Sequence, residues 1–403
     1  MPGITGQGTT YNEPNFVGEL FRITPESTPL LSAIGGLTGG KSVKTVEKEW
    51  QVTDLRDNDQ NTALEGAAAP SGVARVRSNV TNIAEIHHSA VETSYTKQST
   101  PNKTTTAGVE GTNPIANEHD EQVMNEIKAV AKDVNHAFWN GEYNKPADNT
   151  TARKTRGLLQ AIATNKVIYS NGGVELGATV AGTSATDTIT ITHGLNVGDK
   201  VVFSARGGLT SVVIGRVYFV QAVTGTTAFK VSATNGGAAI TLGTATGIKL
   251  YAVSTTAPTL DTYNSLFQRA YDNGGLGDAI SGTIAVNSSQ KRNLTATYAS
   301  AYAKSDPFSG TRNVGGLNLT TIDTDFGTLN IMLDRQLPQD ALAIVSLEQL
   351  APFFLEVPGK GHFFEEDLAK VGSAERTQLY GEIGLEYGNE KAHAQLRGLP
   401  TFV

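Results

Sequence analysis

The chain has 403 residues, 32 basic and 39 acidic, for a formal net charge of −7, and it contains no cysteine. The missing cysteine excludes a disulfide framework, a thiolate nucleophile and a sulfur-ligated zinc site. The acidic balance argues against tight non-specific binding of nucleic acid, which needs Lys and Arg to neutralise phosphates. No apolar run approaches the ~20 residues that span a bilayer, and the first ten residues show neither the charged nor the apolar region of a signal peptide, so neither is expected. Glycine is abundant, 43 residues in all, which leans toward β-structure with long turns.

In chain order, residues 1–40 read as an extended arm, polar and Gly/Pro-rich, with too little apolar surface to order itself. Residues 41–56 read as a strand, with Val46, Trp50 and Val52 among charged residues. A polar Ala/Gly-rich loop follows over 57–72, and strand-like content resumes over 73–97, so that 41–97 reads as strands around a long β-excursion. Residues 98–112 are a Thr/Gly-rich connection. Over 114–140 the spacing of Val123, Ile127, Val130, Val134, Ala137 and Phe138 predicts a helix about 40 Å long. Pro114 suits its first turn behind Asn113, and early acidic residues suit its dipole.

Residues 167–253 form an island with only eight charged residues and no Pro, Met or Trp. Short alternating runs punctuated by Gly pairs predict a small all-β domain inserted into a host fold. The host resumes with an amphipathic helix from about 259, stopped at Asn273-Gly274-Gly275, then a buried strand over 283–286. Asn287 and Gln290 suggest a capping-box start for the next helix. Strands are expected at 314–322, 326–333, 341–346 and 377–387, with a short helix at 348–355. The fold class is α+β.

Candidate chemistry is sparse. Gly35 to Ser42 fits the phosphate-loop pattern G-x-x-x-x-G-K-[ST], but a strand-like stretch follows where that mechanism needs a helix, so a flexible loop is the preferred reading. His87-His88 in a strand would point to opposite faces. His119, Asp120 and Glu121 open the long helix, with His136 too far along to share a site. His362 with Glu365, Glu366 and Asp367 is the better divalent-ion cluster, and an exposed acidic loop is preferred to it. Ser94 and Lys97 lack the companions of a Ser-x-x-Lys catalytic site. Catalytic residues, cofactors and metals are all expected to be none. Arg75, Arg77 and Lys97 flank the β-excursion and, with Trp50, are the candidate assembly contacts; the default for the basic residues is a solvated face.

The order of parts resembles the tailed-phage major capsid proteins of the Hong Kong 97 fold. The resemblance is carried by Thr28-Pro-Leu-Leu-Ser-Ala-Ile34, Glu49-Trp-Gln-Val-Thr-Asp54, Phe326-Gly327, Leu368 to Glu375 and Asn389 to His393. It covers most of 10–165 and 256–398, not the island. It implies an N-terminal arm (1–40), an extended loop with flanking strands (41–105), a peripheral domain with a spine helix (106–166), the inserted β-domain (167–255), an axial domain (256–355) and a return to the peripheral domain (356–403). It further implies a non-enzymatic protein of the virion capsid, assembled in the host cytoplasm into hexamers and pentamers around weakly contacted double-stranded DNA. Implied partners are further copies of itself, a separate scaffolding protein, a portal and decoration proteins, with no membrane. The island and the Gly-rich composition keep a carbohydrate-binding or adhesive surface protein as the alternative, and Lys41 keeps a nucleotide hydrolase as a third reading.

Overall fold

The computed structural model describes residues 26–53, 60–72, 77–99, 117–170, 175–180, 188–276, 282–302, 320–369 and 372–402. Helix α1 (Pro29–Ala33) carries proline in its first turn, where a missing N–H goes unnoticed, and buries Leu30 and Leu31. The strand predicted over 41–56 is two, β1 (Lys41–Val43) and β2 (Glu47–Val52), separated by a bend. The signals over 73–97 become β3 (Ser78–Ile83), β4 (Glu85–Ser94) and a short helix, α2 (Tyr95–Ser99). The long helix α3 spans Glu118–Asn140; the start predicted at Pro114 lies outside the described residues. Its Val123, Val130, Val134, Ala137 and Phe138 are buried, as their spacing predicts. Helix α4 (Leu158–Ala161) and strand β5 (Lys166–Ile168) follow.

The charge-poor island folds as β6 (Leu176–Val180), β7 (Ile189–Thr190), β8 (Lys200–Ala205), β9 (Val217–Thr224), β10 (Ala228–Ser232) and β11 (Ala245–Ala252). These six strands close into a barrel in the order β10-β7-β6-β11-β8-β9, leaving no open edge. Its interior is filled by Phe203, Phe229, Tyr218, Val201, Ile248 and Leu250, among others. Few charges are found here because alternate positions of every strand point into that core.

Helix α5 (Leu260–Asp272) starts at a reciprocal cap: the Thr259 hydroxyl accepts from Thr262 N–H, and the Thr262 side chain closes back on the Thr259 N–H. Strand β12 (Gly282–Val286) is buried throughout, and helix α6 (Ser288–Tyr302) follows it. The capping box predicted from Asn287 and Gln290 does not form. Asn287 Nδ2 donates instead to the carbonyls of Arg335 and Leu337, and Gln290 Nε2 to those of Gln339 and Pro400. Buried backbone carbonyls claimed both side chains. Strands β13 (Thr321–Thr324), β14 (Gly327–Leu333) and β15 (Leu342–Ser346) come next. The helix predicted over 348–355 is a single 3₁₀ turn followed by strand β16 (Ala351–Leu355). Its ladder with a later strand and the burial of Phe353 and Phe354 override local preference. Strands β17 (Phe363–Asp367), β18 (Ala374–Glu386) and β19 (Ala394–Arg397) end the described chain.

Two compact units result. His88–Val130 and Phe364–Tyr380 make one; Ser27–His87, Ala131–Phe363 and Gly381–Val403 make the other. In the first, buried His119 lies between two hydroxyls, Nδ1 3.0 Å from Thr93 Oγ1 and Nε2 2.9 Å from Thr377 Oγ1. It thereby ties the first turn of α3 to β4 and β18. Arg376 pairs with Glu92 at 3.1 Å, and Gln98 donates to Glu375.

The second unit is built on a six-stranded mixed sheet, β13-β14-β12-β15-β19-β5. Strand β12 runs parallel to β14 and antiparallel to β15. Tyr263, Leu266, Phe267 and Leu294 of α5 and α6 pack with Ile284, Val286, Ile344 and Leu396 of the sheet into one core. The barrel is rooted on the same sheet. The chain enters it where Tyr169 N–H donates to Arg397 O at 2.8 Å and leaves where Ser254 N–H donates to Gly398 O at 2.9 Å. Lys200 Nζ donates to Thr401 O, Arg206 pairs with Glu142, and Glu175 accepts from Lys166 and Ser204.

Candidate assembly surfaces

Strands β2 and β3 form an antiparallel ribbon paired from Glu47↔Ile83 to Val52↔Ser78. A two-stranded ribbon is marginal alone, so its order comes from what grips its base. The Trp50 indole N–H donates to Gly388 O at 2.8 Å, and its ring meets Tyr387 edge-on at 5.0 Å. Asn82, fully buried, donates to Leu385 O at 2.7 Å and accepts from Arg156 N–H at 2.8 Å. Lys41 and Lys48 both reach the Glu386 carboxylate. Burial acts to raise that carboxyl, and the two ammonium groups outweigh it and hold it below its ordinary value.

Every residue from 60 to 72 is exposed, and Leu64 is 86% exposed. The segment nonetheless has shape: Ala67 N–H donates to Leu64 O at 3.0 Å, closing a turn in which Gly66 takes φ +78°, open to glycine at little cost.

Three of the four predicted contacts lie among the described residues. Trp50 is half-buried and ties the ribbon to Gly388 and Tyr387 of its own chain. Arg77, exposed at the outer end of β3, donates to Gln51 Oε1 across the ribbon at 3.1 Å. Lys97 is 60% exposed, 3.7 Å from Glu118, in the other unit. Arg75 lies outside the described residues.

The remaining sequence candidates resolve individually. After the Gly35–Gly40 stretch comes strand β1, parallel to β16, and not a helix; Lys41 reaches Glu386. His362 Nε2 sits 2.6 Å from Ser42 Oγ, and its ring stacks on Phe354 at 4.7 Å. The acidic run beside it is strand β17, not the loop expected, because it pairs in the sheet through β18. A strand sends successive side chains to opposite faces, and among the described residues no three His, Asp or Glu side chains converge on a common point. Sequence reasoning missed two buried carboxylates. Asp340 accepts from Arg397 Nε at 3.1 Å, Arg397 Nη2 at 3.2 Å and Gly398 N–H at 3.1 Å. Asp334 accepts from Trp139 Nε1 at 2.8 Å and from Asn135. Each pairs residues 57 or more positions apart, so no local pattern announces it.

The model of the SU10 major capsid protein family matches residues 3–400. The chain belongs to the SU10 major capsid protein family. Among solved structures it is similar to the capsid asymmetric unit of cyanophage A-1(L), at 12% identity and TM-score 0.56 over 98% of this chain and 99% of that one. The capsid of cyanophage P-SCSP1u (10% identity, TM-score 0.48, covering 97% and 94%) and that of the native GTA particle (11%, 0.47, covering 96% and 96%) are also similar. No curated protein sequence matches. The fold of this capsid protein is HK97-like, as the resemblance implied, and it works by self-association in the virion capsid. Nothing in these likenesses supports the adhesive alternative.

Proposed function

We propose that the capsid protein forms hexamers and pentamers of an icosahedral head enclosing double-stranded DNA, each copy laying its 53–77 excursion on a neighbour. The exposed excursion carries this reading: residues 60–72 are all exposed, and Leu64 among them is 86% exposed. The net charge of −7 suits a container that holds DNA without gripping its phosphates. In this reading the chain divides as arm (1–40), loop with flanking strands (41–105), peripheral domain (106–166 and 356–403), inserted β-domain (167–255) and axial domain (256–355), and it acts without catalysis. Arg75, Arg77 and Lys97 meet acidic groups of neighbouring copies and set their register more than their affinity. A scaffolding protein, a portal and decoration proteins are its further partners.

Electron microscopy of the purified protein, expressed alone and with a scaffolding protein, tests the proposal. Closed shells or rings of five and six copies are expected. A uniform monomer under every assembly condition would overturn it.

A further inference from the structure

The chain holds four Asn-Gly pairs, at 140, 171, 235 and 273; the pair at 171 lies outside the described residues. An asparagine side-chain amide is open to attack by the backbone nitrogen of the next residue, and glycine in that place has no Cβ to hinder the approach. The reaction asks two things of the structure: a nitrogen not already hydrogen-bonded, and a side chain free to turn toward it. Asn140 ends helix α3 and is 7% exposed. Its Nδ2 donates to Gln336 O at 2.9 Å, and Gly141 N–H donates to Ala137 O at 2.8 Å. Asn273 is exposed, so exposure alone does not separate the pairs. Its Nδ2 donates to Asn165 Oδ1 at 2.6 Å and to Arg269 O at 3.0 Å, and Gly274 N–H donates to Tyr271 O at 2.9 Å.

Asn235 and Gly236 lie in the turn after β10, and both are exposed. That turn is closed by Gly237 N–H, which donates to Thr234 O at 3.0 Å, so its hydrogen bond does not engage the Gly236 nitrogen. Among the described residues neither Gly236 N–H nor the Asn235 side chain has a hydrogen-bond partner. We propose that Asn235 is a self-modification site, converted with water to aspartate and isoaspartate, while Asn140 and Asn273 stay intact in the folded chain. The Gly236 nitrogen bonds to Asn235 Cγ, the Cγ–Nδ2 bond breaks, and ammonia leaves with the Gly236 amide proton. Water then opens the five-membered ring. Breaking the new N–Cγ bond gives aspartate; breaking the bond from that nitrogen to the Asn235 backbone carbonyl carbon gives isoaspartate. Either product adds a negative charge to a stretch, 167–253, that holds five basic and three acidic residues. Subunits therefore become uneven in barrel charge as they age.

The test holds the folded full-length subunit in mildly alkaline buffer, which favours loss of the attacking nitrogen's proton, and follows each site by peptide mapping with mass spectrometry. Asn235 is expected to convert, with isoaspartate among the products, and Asn140 and Asn273 to stay intact. In guanidinium, where the hydrogen bonds holding Asn140 and Asn273 are gone, all three are expected to convert at similar rates. An intact Asn235 in the folded subunit overturns the proposal, and so does folded-state conversion of Asn140 or Asn273 as fast as that of Asn235. Isoelectric focusing in an Asn171→Gln background reads the charge independently. An acidic band is expected to grow with age, to coincide with the band of Asn235→Asp, and to be lost in Asn235→Gln, whose longer side chain must close a six-membered ring. A band that grows equally in Asn235→Gln would also overturn the assignment.

Discussion

Arg397 and Asp340 show how much one residue can carry. Both are almost wholly buried, and the carboxylate takes three hydrogen bonds from Arg397 and Gly398. Removing the guanidinium strands a charge in the interior, so Arg397→Ala is expected to destabilise the subunit by about 3–5 kcal/mol, read from the urea midpoint of unassembled protein. Two histidines, half-buried His87 and buried His393, set a pH dependence. Burial pushes the His87 and His393 imidazoles down to about 4, from an ordinary value of 6.5. The unfolded chain therefore binds more protons than the folded one between these values, and stability falls as pH drops from about 6.5 to 4. Above that window both rings are neutral in either state and the contribution is constant. His87 Nε2 has no partner, so His87→Leu is expected to flatten part of the slope without loss of stability at pH 7. Denaturation curves at pH 7 and 4.5 check it; an unchanged slope would show that His87 does not titrate on unfolding.

At the scale of elements, the pairing of β16 with β18 sets Phe353 opposite Gly384. A Cβ at Gly384 would lie 2.3 Å from the Phe353 ring, far inside contact distance. The ring is locked in the core, so Gly384→Ala is expected to cost about 1–3 kcal/mol by overpacking, measurable as a lowered melting temperature. The sequence marks 348–355 as a helix because its Leu, Gln and Ala favour one locally. That preference loses to a ladder whose partner lies some thirty residues on. Helix α3 and helix α5 were legible because each carries its own apolar stripe and its own start or stop signals. The ribbon was legible as strand, but its anchors, Gly388 and Leu385 carbonyls over 300 positions away, were not.

At the scale of the molecule, the barrel enters and leaves through hydrogen bonds to adjacent carbonyls, Arg397 and Gly398. Its two chain ends are therefore neighbours, and its core is its own. Replacing 171–252 with a short glycine-rich linker is expected to leave a host that still assembles, at a lower melting temperature because the Arg206–Glu142 and Lys200–Thr401 contacts are lost. Electron microscopy of the deletion checks this; failure of a folded deletion to assemble would make the barrel part of the shell contacts. Truncation before Ala394 has the opposite expectation, since β19 serves both the central sheet and the barrel mount.

The sequence by itself determined the α+β class, the long helix, the charge-poor β-insertion and the order of parts that marks the capsid family. Those are local or compositional properties, written in spacing, turn residues and charge density. Only the tertiary structure decided that the insertion closes into a barrel, that Trp50 reaches the Gly388 carbonyl, and that Asp340 and Asp334 have buried donors. Each of these depends on which distant segments meet, and that is set by burial and hydrogen-bond satisfaction over the whole chain.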